Sequence, residues 1–133
     1  MVKIELCAAT QEAVLLAKEK GLDRIELCQN LEQGGLTPSF GMIEYAMDLG
    51  LETHVLIRPR AGGFCYSKEE LKVIFKDIIS CKKLGVHGVV VGVLKNNFEI
   101  DEDVIPIQWN RQYLLVPMED TMLLVDQQRA HRK

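Results

Sequence analysis

Residues 3–9 (KIELCAA) and residues 24–30 (RIELCQN) contain the same tetrapeptide, Ile-Glu-Leu-Cys, 21 residues apart. Successive side chains of a β-strand point to opposite faces. As a strand, each copy therefore places isoleucine and leucine on one face and glutamate and cysteine on the other. The repeat predicts two strands of one sheet. Each has an apolar face toward covering helices and a polar face with a carboxylate midway and a thiol at its end.

Strand and helix patterns alternate along the chain as far as Leu94. The sequence predicts strands over 2–7, 24–28, 53–59 and 88–94, and helices over 10–20, 37–50 and 67–84. The expected N-caps are Thr10, Thr37 and Ser67, and the expected helix stops are Gly21, Gly50 and Gly85. Four strands that alternate with three helices over short connections indicate an α/β fold with a parallel sheet.

Two parallel architectures are compatible with this order. A doubly wound sheet usually has a glycine-rich phosphate turn after its first strand. Here that strand is followed by AATQEA, without Gly-x-Gly-x-x-Gly and without a P-loop. A (β/α)₈ barrel repeats strand–helix units and gathers polar residues at the carboxyl ends of its strands. The near-identical first and second strands therefore favour a TIM (β/α) barrel-like fold.

Composition narrows the class of protein. The chain has 133 residues, 47% hydrophobic and 26% charged, with a net charge of −3. That size suits one domain, and mild acidity gives no general attraction to nucleic acid or anionic membranes. The sequence has no run of eighteen apolar residues and no apolar signal-peptide segment. We therefore expect a cytoplasmic protein, in which free thiols or metal ligands are more usual than disulfides.

The thiols are the candidate metal ligands. If adjacent strand ends bring Cys7 and Cys28 together, their soft thiolates suit Cu(I). Cys65, in the glycine-rich loop RAGGFCY, is a candidate third ligand. Alternatively, these cysteines act as small buried hydrophobic residues. Cys81 lies within the third helix and is expected to be a packing residue of the core or the surface. No Cys-x-x-Cys or zinc-type spacing occurs.

The same polar faces carry charged residues toward the expected barrel mouth. Glu5 and Glu26 are candidates for a general acid and base, or alternatively for a structural salt-bridge layer. The candidate anion-binding residues are Arg24, Asn30, Arg58 and Arg60. Two guanidinium groups at one strand end suit a carboxylate or phosphate. The structural alternative is that Arg58 pairs with Glu26 and that Arg60 is solvated.

Three further features of the mouth also allow a structural reading. His54 is a ligand, a proton carrier or simply a hydrogen-bonded strand histidine. The glycine pairs at 34–35 and 62–63 offer backbone donors to an anion, or are ordinary turns. Thr37 lines the mouth or caps the second helix, and capping is the expected role.

Three sequence blocks resemble the copper homeostasis protein family CutC. They are RIELCQNLEQGGLTPSFGMI (24–43), HVLIRPRAGGFCYS (54–67) and GVVVGVL (88–94), in matching order and spacing. The resemblance implies a TIM-barrel-like fold, a cytoplasmic location and a link to copper. It also implies that Cys7 and Cys28 correspond to cysteines proposed as copper ligands in some members. A polar barrel mouth equally suggests an enzyme with an unidentified substrate.

The resemblance ends near residue 105, although family members continue through the rest of the barrel. We therefore predict a partial barrel over 1–105, about half of the whole, and a divergent tail over 106–133. The exposed edges of a half-barrel must pair, for example in a homodimer, or the chain is an inactive truncated fragment. In another alternative the tail folds back as a strand (YLLV) and a helix.

Overall fold

A computed structural model describes residues 2–104 and 115–117. Strands and helices alternate as predicted. The elements in chain order are β1 (Glu5–Ala8), α1 (Gln11–Glu19), β2 (Arg24–Leu27), a 3₁₀ turn (Leu31–Gln33), α2 (Phe40–Asp48), β3 (Thr53–Ile57), α3 (Lys68–Lys83), β4 (Gly88–Val91) and β5 (Leu115–Pro117). No helix in this part of the chain is both long and apolar enough to cross a membrane.

The strands form one sheet in the order β1-β2-β3-β4-β5. The first four are parallel, and β5 is antiparallel to β4. The two copies of the repeated tetrapeptide are direct neighbours, with Glu5 opposite Arg24 and Cys7 opposite Glu26. The predicted parallel α/β architecture is confirmed, and the repeat is explained by two adjacent strands that use the same side-chain pattern.

The core lies between the sheet and its three helices. The apolar faces of β2, β3 and β4 are at most 3% exposed and consist of Ile25, Leu27, Val55, Ile57, Val89 and Val91. Helix residues such as Val14, Ala46 and Ile74 cover this face. Burying a large aliphatic side chain stabilises the fold by about 1.5–3 kcal/mol. The predicted division of each strand into an apolar and a polar face therefore holds for β2 and β3.

Strand ends differ from the prediction, most of all in β1, β3 and β4, and β4 ends at Val91 instead of residue 94. β1 begins at Glu5, so Ile4 precedes it and is 57% exposed instead of packing under the helices. The Ile4 carbonyl instead accepts the backbone N–H of Asp23 at 3.1 Å. β3 ends at Ile57, so Arg58 and Arg60 belong to the following loop and not to the strand.

Two of the three predicted N-caps are confirmed, and Thr37 is not the third. Thr10 and Ser67 each accept a hydrogen bond from a backbone N–H in the first turn of α1 and α3. Ser39 caps α2 and accepts the N–H of Met42 at 3.2 Å. The side chain of Thr37 is occupied elsewhere, because it accepts the Arg58 N–H at 2.8 Å.

β5 lies within the predicted tail, at 115–117. The strand of the fold-back alternative (YLLV) is therefore present in part, and it covers the edge of β4. The helix of that alternative and the interruption expected at Pro106 lie outside the described residues. The boundary between a barrel part and a tail at 105 stays a prediction. Among the described strands, β1 and β5 form the two edges of the sheet.

The cap at Ser39 can be tested directly. We expect Ser39→Ala to lower the free energy of unfolding by about 1 kcal/mol, because the Met42 N–H loses its acceptor. Ser80→Ala is the matched control, since Ser80 is exposed in the last turn of α3 and alanine favours helix. Urea denaturation measures both variants. Equal stability of the two variants would contradict this assignment of the cap.

Candidate functional site

Two free thiols meet at the carboxyl ends of β1 and β2. The Sγ atoms of Cys7 and Cys28 are 3.8 Å apart. Cys7 is exposed, whereas Cys28 is 1% exposed, and the Cys28 N–H extends the strand pairing to the Ala8 carbonyl at 3.0 Å. The expectation that neighbouring strand ends bring these thiols together is confirmed. The arrangement offers two adjacent soft donors, of which solvent reaches one.

The environment of Cys28 favours its neutral thiol. Burial, the neighbouring Cys7 and the Glu26 carboxylate raise the pKa of Cys28 to about 12. A thiolate there would lack water and face like charge. At neutral pH Cys28 is therefore protonated, and a metal that binds it must displace that proton.

The other two cysteines lie apart from this pair. The Cys65 thiol donates to the Lys95 carbonyl at 3.2 Å. Cys81 is buried in α3 and belongs to the core, and burial together with Asp77 raises its pKa to about 12. Within residues 2–104 and 115–117, no group of three or more His, Cys, Asp or Glu side chains could hold a metal ion. The described residues therefore provide a two-thiol site, without Cys65 as a third ligand.

A charged layer lies near the amino ends of β1–β3. Glu5 forms an ion pair with Arg24. His54 Nδ1 is 3.7 Å from the Glu5 carboxylate, and His54 Nε2 is 3.8 Å from that of Glu52. Because β1 starts at Glu5, this carboxylate stands at the strand's beginning and not midway along it. Active sites of (β/α) barrels form at the opposite, carboxyl end, so this layer fits the structural salt-bridge reading.

Burial shifts two titrating groups within this layer. Burial, followed by the charge and hydrogen bonding of Glu5, raises the pKa of Glu26. Burial lowers the pKa of His54, although the Glu5 and Glu52 carboxylates act in the opposite direction. Glu26 and His54 are opposite each other in the β2–β3 register. Both pKa shifts favour the neutral forms, because burial removes water from the charged form of each group.

Arg58 binds loop carbonyls. Its Nη1 donates to the carbonyls of Gln33 at 2.7 Å and Gly35 at 3.0 Å, and its Nη2 donates to that of Gly62 at 2.9 Å. The guanidinium also lies over the Phe64 ring, 5.2 Å from its centre. The structural alternative, in which Arg58 pairs with Glu26, is wrong, because loop carbonyls without partners in the sheet take up these donors.

Arg60 organises the following loop. It forms an ion pair with Glu70 at 2.7 Å, donates to the carbonyls of Gly63 and Cys65, and lies 4.8 Å from the centre of the Tyr66 ring. The structural alternative of a merely solvated Arg60 is wrong, because its guanidinium is held by these partners. Glu70 also completes the capping box of α3, a pattern visible in the sequence as Ser67-x-x-Glu70. The sequence analysis did not predict the ion pair of Glu70 with Arg60, because Arg60 lies in the preceding loop.

Asn30 shapes the backbone of the loop that follows Cys28. It has a positive φ of 55°, and its carbonyl accepts the N–H groups of Gln33 and Gly35, both at 3.1 Å. Asparagine tolerates this left-handed conformation better than most residues. The anion-binding role of Asn30, Arg24, Arg58 and Arg60 and the acid–base role of Glu5 and Glu26 stay predictions.

The fold and its polar strand ends define part of a TIM-barrel-like α/β protein. The sequence model of the CutC family matches residues 2–112. The chain belongs to the CutC family.

Individual relatives agree with this membership. A CutC family protein of Glaesserella parasuis is 44% identical over 101 residues, and one of Bacteroides thetaiotaomicron is 46% identical over 105 residues. These alignments cover 75% and 77% of this chain but 42% of each relative. The chain thus spans about two-fifths of the length of the curated relatives it matches.

A solved structure supports the fold. The crystal structure of CutC from Streptococcus agalactiae, which has been given the name copper homeostasis protein, superposes with a TM-score of 0.73 at 30% identity. The superposition covers 97% of this chain and 56% of that one. The chain therefore has a TIM-barrel-like fold that accounts for part of the barrel.

We expect His54 to make the stability of the fold depend on pH. Its pKa is lowered from the ordinary value of 6.5 in the folded chain, so acidification below that value protonates the unfolded chain first and favours unfolding. We expect His54→Gln to reduce the drop in melting temperature between pH 7.5 and pH 5.5. Thermal unfolding of both proteins at each pH measures this drop. An equal drop in both proteins would show that other groups carry the dependence.

Proposed function

We propose that this chain binds Cu(I) through Cys7 and Cys28 and serves copper homeostasis. The observation that carries the proposal is the 3.8 Å separation of two free thiols on neighbouring strands. Membership of the CutC family and the copper homeostasis name given to the Streptococcus agalactiae relative support it.

The donor set fits Cu(I) better than harder ions. Thiolates are soft ligands that select Cu(I) and zinc over magnesium, calcium or manganese. Structural zinc usually takes four ligands, whereas the described residues supply two thiols and no cluster of three metal-binding side chains. A site with two thiol ligands is therefore the form of copper site that these residues can build.

The two thiols have different roles in the proposed binding of Cu(I). Cys7 is exposed and available to an incoming ion, whereas Cys28 is buried and protonated at neutral pH. Binding to Cys28 must release its proton, so weakly thiophilic ions are disfavoured. In this arrangement Cys7 makes the first contact, and Cys28 contributes selectivity by requiring an ion with high affinity for sulfur.

An anaerobic competition titration against a Cu(I) chelator tests the proposal. We expect wild type to take one Cu(I) per chain and Cys7→Ser/Cys28→Ser to lose that binding, because both soft donors are removed. Zinc should compete poorly. The matched control is Cys65→Ser/Cys81→Ser, which also removes two thiols but leaves the pair intact. It should bind Cu(I) as wild type does.

Circular dichroism of each variant separates loss of ligand from loss of fold. Unchanged affinity in folded Cys7→Ser/Cys28→Ser would overturn the proposed function. Loss of binding in folded Cys65→Ser/Cys81→Ser would assign the ion to another site.

A further inference from the structure

The loop after Cys28 covers its thiol. Gln29 and Leu36 pair with each other through both backbone hydrogen bonds, at 3.0 and 2.7 Å, and so close the loop at its base. A side-chain carbon at Gly35 would lie 3.7 Å from Cys28 Sγ and 3.0 Å from Leu56 Cδ2. Gly35 itself is buried. The Gly35 backbone therefore lies next to the thiol and contributes to the burial of Cys28, which is 1% exposed.

One side chain holds this loop down. Arg58 donates to the carbonyls of Gln33 and Gly35 through Nη1 and to the Gly62 carbonyl through Nη2. It therefore ties the loop over Cys28 to the glycine-rich loop that follows β3. At Gly34 a side-chain carbon would lie 3.0 Å from Arg58 Nη1, so the guanidinium fits closely against the loop backbone.

The backbone around Arg58 reinforces this attachment. Thr37 donates its N–H to the Arg58 carbonyl at 3.0 Å, and its side chain accepts the Arg58 N–H at 2.8 Å. The end of the covering loop and the start of the glycine-rich loop are thus joined at Arg58 through both backbone and side chain. A side chain with several donors in a planar fork suits three carbonyls that point from different directions.

We propose that Arg58 is a positioning residue that latches the 29–36 loop over Cys28 and so controls access of reagents and metal ions to the buried thiol. Cys7 is exposed and lies outside this control. Control of copper access by the latch rests on the proposed function, whereas control of reagent access to the Cys28 thiol does not. Opening it requires local release of the loop and not unfolding of the core.

Native-state alkylation tests the latch without any metal. Iodoacetamide labelling followed by peptide mass spectrometry gives a separate rate for each cysteine. In Arg58→Ala we expect the labelling rate of Cys28 to rise by about tenfold or more, with little change at Cys7. Cys81 is buried in α3 and serves as an internal standard, because its labelling reports loosening of the core.

Two further variants sharpen the result. Arg60→Ala removes a similar arginine whose hydrogen bonds within the described residues go to Glu70 and its own loop and not to the 29–36 loop, so Cys28 should stay protected. Gly35→Ala should also expose Cys28. The added carbon would lie 3.0 Å from Leu56 Cδ2, and the φ of +92° at Gly35 is unfavourable for alanine, so the loop should be displaced. A selective rise at Cys28 in both latch variants supports the proposal.

Two outcomes would overturn the latch. One is unchanged Cys28 labelling in folded Arg58→Ala. The other is a parallel rise at Cys28 and Cys81, which indicates general destabilisation. Stopped-flow measurement of anaerobic Cu(I) uptake by wild type and Arg58→Ala then separates the two proposals. Faster copper uptake by Arg58→Ala supports a gate for the metal. If wild type binds no copper but Cys28 is still labelled selectively in Arg58→Ala, the proposed copper function fails and the latch stands.

Discussion

The parallel pairing of β1 with β2 is the constraint on which the candidate site depends. It sets Glu5 opposite Arg24 and Cys7 opposite Glu26. Because the side-chain period of a strand is two, a slip of one residue would turn the polar face of the slipped strand into the helix layer. The buried Ile25 and Leu27 oppose such a slip. The same apolar residues that build the core therefore hold the two thiols within 3.8 Å of each other.

The loops at the carboxyl ends of the strands impose a second constraint, because their carbonyls need hydrogen-bond donors. Sharp glycine-rich turns leave carbonyls without sheet partners, and side-chain donors can take their place. Arg58 and Arg60 meet that need with their guanidinium groups, each beside an aromatic ring. An arginine-rich strand end can thus indicate loop architecture as readily as an anion site. In this chain the same contacts place one loop over a protonated, buried thiol.

Local sequence signals predicted elements better than their exact ends or partners. The caps at Thr10 and Ser67 follow from contacts within one turn, and both are present. Thr37 carried the same signal, but its hydroxyl accepts the N–H of Arg58, 21 residues away. Glu70 likewise needed a partner from a distant loop. Sequence patterns register a side chain's capacity to form a bond, whereas the fold decides which of several possible partners comes within reach.

Periodicity and the repeated tetrapeptide by themselves determined the parallel α/β fold, the apolar faces of β2 and β3 and the neighbouring positions of Cys7 and Cys28. These features follow from the alternation of side chains along a strand, which is a local property. Tertiary structure alone decided that Cys28 is covered and Cys7 exposed, that Arg24 pairs with Glu5, and that Arg58 binds carbonyls instead of Glu26. Burial and hydrogen-bond partners depend on segments far apart in the chain, so no local pattern specifies them.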